Sequence, residues 1–188
     1  MAEIYVADLN FSLINTYRPY FSEYRKMRLK KIKNPLLFAQ AEAAEALLCY
    51  AAEKNGCSLP VDIKTEKRGK PYAENINFSI SHSDGRVMVS IAQCRIGADI
   101  QKINEQQNLS VAKKILTPSE LSGIDTHEFF RLFTIKESYF KMTGQGLPLS
   151  PKSFSSFEKS YFKTWEKDGY IICVCTKEKE ENRIEFVL

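Results

Sequence analysis

Glu137 is a carboxylate where an apolar side chain is due. Phe130, Phe133 and Phe140 recur along one helical stripe, and Glu137 stands in that stripe, four residues after Phe133 and three before Phe140. Desolvation there raises a carboxyl pKa unless a cation or metal sits nearby, and either outcome suits a general base or a metal ligand. The plainer alternative is an i,i+4 salt bridge from Glu137 to Lys141, worth about 0.3–0.5 kcal/mol when exposed.

A second candidate is Ile96-Gly97-Ala98-Asp99-Ile100-Gln101. On a strand, Asp99 and Gln101 share one face while Ala98 and Ile100 share the other, so a carboxylate and a carboxamide project side by side. Mg²⁺ favours such hard oxygen donors, taking one or two protein carboxylates and leaving its other positions to water and substrate phosphates. The alternative is a solvent-facing hairpin edge. A third candidate is Ser81-His82-Ser83, where an alternating strand runs into a polar loop and offers donors for phosphate oxygens. Upstream, Arg68-Gly69-Lys70-Pro71 sets two cations around a turn. A surface loop is the plainer reading of both segments. A nucleophilic Ser/His pair is disfavoured, because no elbow motif surrounds it.

The elements that must position these groups can be read from pattern. Residues 3–9 alternate like a strand. Asn34 as N-cap and Pro35 at the first helical position open an Ala-rich helix that stops at Asn55-Gly56. Short strands are expected at 63–66, 76–81, 86–93 and 96–101, joined as an antiparallel meander. A short helix at 109–116, a capping box at Thr117-Pro118-Ser119-Glu120, and a helix over about 128–142 ending at Gly144 come next. Strands at 161–166, 170–176 and 183–188 close the chain, with Lys167-Asp168-Gly169 as a hairpin turn. The expected fold class is α+β, in two halves, 1–102 and 103–188, each packing a helix on a small antiparallel sheet, with the site in the cleft between them.

The 188 residues are 44% hydrophobic, enough for a real core, and disorder is excluded. No run of eighteen apolar residues and no secretory leader is visible, so no membrane association and a cytoplasmic location are expected. Five cysteines without a C-x-x-C pair, with only two histidines, argue for reduced thiols over a structural zinc site. The charge is uneven. Residues 1–33 carry seven Lys/Arg against three Asp/Glu, and six of those bases fall in 25–33, while the remainder is neutral. A phosphate group or an acidic protein surface is the expected partner of this segment, and a solvated basic helix face is the alternative.

Together these segments resemble the 4′-phosphopantetheinyl transferase superfamily, in its larger, pseudo-dimeric, surfactin-synthetase-activating type. The resemblance rests on four ordered blocks: Gly69-Lys70-Pro71; Phe78-Ser79-Ile80-Ser81-His82-Ser83; Ile96-Gly97-Ala98-Asp99-Ile100; and Phe133-Thr134-Ile135-Lys136-Glu137-Ser138-Tyr139-Phe140-Lys141 followed by Gly144-Gln145-Gly146-Leu147. It implies transfer of phosphopantetheine from coenzyme A, as co-substrate, to a serine of an apo acyl or peptidyl carrier protein, with release of 3′,5′-ADP. By the same resemblance Asp99 and Glu137 bind Mg²⁺ (or Mn²⁺), with Gln101 where many relatives have a third acid. Glu137 acts as base and Lys141 contacts the pyrophosphate. Lys70, Pro71, Ser81 and His82 match nucleotide-binding positions, and Arg25 and Arg28 are expected near the 3′-phosphate. Gln40 stands where relatives often carry a base, and the stretch from Asp99 to Phe133 is shorter than usual. Two fused halves imply that a monomer completes the site.

Two rival readings follow from particular residues. Gln101 motivates an impaired relative that binds coenzyme A or a carrier without transfer. The basic segment beside Tyr20, Phe21 and Tyr24 motivates a nucleic-acid-binding module, against which the neutral remainder counts.

Overall fold

The computed structural model describes residues 1–106, 109–145 and 160–187. The chain starts with strand β1 (Ala2–Asp8), followed by two short helices, α1 (Phe11–Tyr17) and α2 (Glu23–Leu29), separated by a turn of 3-10 helix. Helix α3 (Pro35–Lys54) begins as expected: Asn34 accepts from the Leu36 and Leu37 amides, and Pro35 needs no hydrogen-bond acceptor there. Next come β2 (Lys64–Thr65), β3 (Pro71–Tyr72), β4 (Asn77–Ser83), β5 (Arg86–Ala92) and β6 (Ile96–Lys102). Short helices α4 (Ala112–Ile115) and α5 (Pro118–Leu121) lead to α6 (Thr126–Thr143), and β7 (Tyr161–Lys167), β8 (Tyr170–Thr176) and β9 (Asn182–Val187) finish the described chain.

The strands do not form one meander. One sheet runs β4-β5-β1-β9, with β9 parallel to β1, and a second runs β6-β8-β7. Sheet membership therefore crosses the 102/103 boundary: β6 joins the second sheet and β9 the first. The turn between β5 and β6 is short, yet β6 pairs with β8 and meets β4 through side chains. Alternation explains the layering. Tyr5, Ala7, Val87 and Val89 face α3, whereas Ile4, Val6 and Met88 point the other way and pack on Ala98, Ile100, Ile172 and Val174 of the second sheet. On the first side Leu47 and Leu48 of α3 are fully buried, each contributing roughly 1.5–3 kcal/mol of apolar burial. Helix α6 covers the far face of the second sheet. The order of layers is helix, sheet, sheet, helix.

Gly97 sets the contact between α6 and β6. A Cβ on it would lie 2.0 Å from the Ser138 carbonyl oxygen and 2.2 Å from the Met142 nitrogen, so only glycine lets the helix backbone rest directly on the strand. Helix α6 starts with Asp125 accepting from the Glu128 amide and ends on Gly144 in the left-handed conformation, at φ 73°. The hairpin turn between β7 and β8 also forms as expected, with Asp168 and Gly169 both at positive φ.

Candidate active site

Because Ala98 and Ile100 turn into the inter-sheet core, Asp99 and Gln101 turn to the face that α6 covers. Asp99 is 1% exposed. Its Oδ1 accepts from Ser81 Oγ and from Lys141 Nζ, each at 2.7 Å, and its Oδ2 accepts from Gln101 Nε2 at 2.9 Å. Ser81 belongs to a regular device. The hydroxyls of Ser79, Ser81 and Ser83, alternate residues of β4, accept from the backbone amides of Ala98, Ile100 and Lys102. Side-chain oxygens thus replace the carbonyls of a strand ladder where the two sheets meet. Ser81 also accepts from Lys141 Nζ at 2.7 Å, so its one donor and both lone pairs are used within the protein.

Glu137 stands one helical turn before Lys141. Among the described residues nothing donates a hydrogen bond to its carboxylate. Burial, and then the charge of Asp99, push its pKa up to about 7, against the opposing pull of Lys141. The ion pair of Lys141 is with Asp99, so the local Glu137–Lys141 bridge is not what holds this carboxylate. Glu137, Lys141 and Phe140 line a cavity of about 260 Å³ together with Lys70, Pro71 and Ile80. Asp99 and Gln101 do not line that cavity, but Asp99 is near enough to Glu137 to raise its pKa, and two carboxylates with an amide are the donor types a hard cation takes. Among the described residues no three His, Cys, Asp or Glu side chains cluster as a self-sufficient metal cage.

The sequence model of the 4′-phosphopantetheinyl transferase superfamily matches residues 95–186, the stretch that carries both carboxylates. A 4′-phosphopantetheinyl transferase of Bacillus subtilis is 32% identical over 156 residues, 69% of this chain and 67% of that protein. The chain belongs to the 4′-phosphopantetheinyl transferase superfamily. Two other relatives share less of their length. The transferase Sfp of Bacillus subtilis strain 168 is 31% identical over 61% of this chain and 62% of its own, and the transferase gsp of Aneurinibacillus migulanus is 37% identical over 46% and 39%. The aligned stretches thus span about two thirds or less of these relatives.

The remaining residues that the phosphopantetheinyl transferase resemblance singles out are distributed unevenly. His82, beside Ser81, is held below the usual histidine range by burial of its inner side and by Lys141, with Arg25 adding to the effect, so both cations lie within electrostatic reach of it. Arg25 is mostly buried, and its Nε donates to Glu45 of α3 at 2.9 Å. Arg28 is exposed, donates to the Tyr24 hydroxyl at 2.7 Å and lies over that ring, so among the described residues no contact draws it toward the cavity. Lys70 lines the cavity, yet its ammonium donates to the Ile96 and Met142 carbonyls, both at 3.1 Å, and burial lowers its pKa to about 8. Gly146 and Leu147 lie outside the described residues.

Three groups were not anticipated from sequence. Arg95 donates to the Met142 carbonyl at 2.6 Å and to the Thr143 carbonyl at 3.2 Å while pairing with Glu66, and so caps the end of α6 alongside Lys70. Glu45 is 1% exposed and accepts from Ser22 and Arg25. Lys136, next to Glu137, is fully buried. The i,i+2 spacing of Ser79, Ser81 and Ser83 was a visible signal. Arg95 and Lys136 gave none, because their partners are distant in sequence.

Proposed function

We propose that this chain transfers the 4′-phosphopantetheine arm of coenzyme A to a serine of an apo acyl or peptidyl carrier protein, releasing 3′,5′-ADP. The observation that carries the reading is Glu137: a half-buried carboxylate facing a cavity, with no donor among the described residues and a pKa of about 7. A base so poised takes a hydroxyl proton near neutral pH.

In this reading the carrier serine oxygen attacks the β-phosphorus as Glu137 takes its proton. The new P–O bond forms while the bond from that phosphorus to the bridging oxygen breaks, and 3′,5′-ADP departs with that electron pair. Asp99 and Glu137 would hold Mg²⁺ or Mn²⁺, with Gln101 as a third donor, and the ion would supply charge neutralisation for the phosphates. Lys141, at the cavity wall, shares that task once its ammonium is released from Asp99 and Ser81. Lys70, Pro71, Ser81 and His82 form the nucleotide side, with Arg25 and Arg28 toward the 3′-phosphate; for Lys70, Arg25 and Ser81 this requires release from their present partners.

Residues 1–102, with α3, and 103–188, with α6, serve as the halves of a pseudo-dimer, with β6 and β9 each pairing in the sheet of the other half. The cavity between β4 and α6 is then its active-site cleft, complete in a monomer. The proposed place of work is the cytoplasm; among the described residues no helix is long and apolar enough to cross a membrane. The test is mass spectrometry of a panel of apo carrier proteins incubated with coenzyme A, Mg²⁺ and this protein. We expect one phosphopantetheine added to the serine of at least one carrier. A panel left wholly unmodified, by protein that binds coenzyme A, would contradict the reading.

A further inference from the structure

The largest completely buried side chain among the described residues is that of Lys136, which precedes Glu137 in α6 and does not line the cavity. Adjacent residues diverge by about 100° around a helix, so one serves the cavity while the other reaches elsewhere. The Lys136 ammonium donates to Glu120 Oε2 at 2.5 Å and to the Ile115 carbonyl at 3.2 Å. That Glu120 oxygen also accepts from the Thr117 amide at 2.8 Å and the Thr117 hydroxyl at 3.0 Å, as the capping box that starts α5. Ile115 ends α4, and its carbonyl is one that a helix leaves without an internal partner. One ammonium therefore ties the end of α4 and the start of α5 to α6. Burial works to raise the Glu120 carboxyl, but Lys136 and Thr117 outweigh it and hold the group ionised.

We infer that Lys136 is a positioning residue: its clamp on Glu120 and Ile115 fixes the rotation of α6 that aims Glu137 and Lys141 into the cavity. Gly97 brings α6 close to β6, but close approach at one point leaves rotation about the helix axis open. A directional ion pair, buried on the Lys136 side and partly exposed at Glu120, with a short helix pair closes that freedom. The kinetic consequence rests on the proposed transfer reaction, because a shift of the reacting groups by about 1 Å can cost a rate factor on the order of 100.

Three variants test the clamp: Lys136→Met, Glu120→Gln, and the double variant Lys136→Met/Glu120→Gln, in which neither charge is left unpaired. Each is compared with the unaltered protein in transfer kinetics, in thermal midpoint, and in amide hydrogen exchange of peptides covering 112–121 and 126–143. We expect kcat to fall by about 10- to 100-fold, with KM for coenzyme A changed by less than about threefold. The fall should persist in the double variant even where its midpoint matches that of the unaltered protein, and exchange should quicken in both peptides. A stably folded double variant with unaltered kcat and exchange would overturn the inference, as would a loss of kcat that merely tracks the midpoint. If the unaltered protein transfers nothing, the proposed function fails; the exchange comparison then decides the clamp, and unchanged protection in the variants refutes it.

Discussion

Lys141 reaches from α6 to Asp99 on β6, 2.7 Å from its Oδ1, and does not pair with Glu137 one turn earlier on its own helix. The buried acid is thereby charge-paired, while among the described residues nothing donates to the cavity-facing one; in the proposed reaction both would hold the metal and Glu137 would also take the serine proton. Asp99→Asn removes the charge while keeping an oxygen that Ser81 and Lys141 can use. Turnover at saturating coenzyme A should fall by about 10²–10³-fold, with a higher metal concentration needed for half-maximal rate. An unchanged metal dependence would show that Asp99 is not at the ion.

The titration of Glu137 has a definite sign. Its folded pKa, about 7, lies above its ordinary value of 4.5, so the fold bears no penalty below pH 4.5 and the full penalty above pH 7. In chelator, Glu137→Gln should therefore leave the thermal midpoint unchanged near pH 4.5 and raise it at pH 8. The gain is on the order of 1 kcal/mol once partial exposure is discounted. At low metal, kcat/KM should rise with pH through about 7, and added metal should move that limb downward by favouring the ionised carboxylate. Equal midpoint changes at both pH values would contradict the placement of Glu137.

Gly97→Ala should cost about 1–3 kcal/mol or more, because the new methyl meets the helix backbone and no flexible side-chain end can yield. Helix α6 must lift from β6, so turnover should fall further than the midpoint alone accounts for. Thermal melts together with turnover of the surviving folded protein check this, and normal values in both would show that the helix does not rest on the strand.

Gln101→Glu puts an acid beside Asp99, where the present amide donates to Oδ2 at 2.9 Å. A third carboxylate adds charge to the hard-cation site, and the metal concentration for half-maximal rate should drop. If that concentration does not move, residue 101 is remote from the ion.

Much of this site was legible in the sequence, because the decisive signals are local. The Phe130, Phe133 and Phe140 stripe exposed Glu137 as out of place, and strand alternation separated Asp99 and Gln101 from Ala98 and Ile100. Asn34-Pro35, Asp125 and Gly144 marked the helix ends through chemistry confined to one turn. What failed to show was long-range. The parallel pairing of β9 with β1, and the transfer of β6 to the second sheet, follow from which apolar faces find each other, and periodicity does not encode that choice. Helix α1 has no reading in the sequence, and α2 falls in the basic segment where a helix face is only the alternative, since each spans only seven residues and packs on α3. Lys70 and Arg25 looked like free cations because the acceptors that engage them in this structure, the Met142 carbonyl and Glu45, lie far along the chain.

The most direct test of the whole account is turnover of Glu137→Gln with coenzyme A, Mg²⁺ and a carrier that the unaltered protein modifies. Coenzyme A affinity and the thermal midpoint are measured on the same preparation. Glutamine keeps the size of the side chain and an oxygen ligand but cannot take a proton, so transfer should be lost by at least about 10²-fold while coenzyme A still binds and the protein stays folded. Near-normal turnover in this variant would contradict the account, for it would leave Glu137 without a catalytic role.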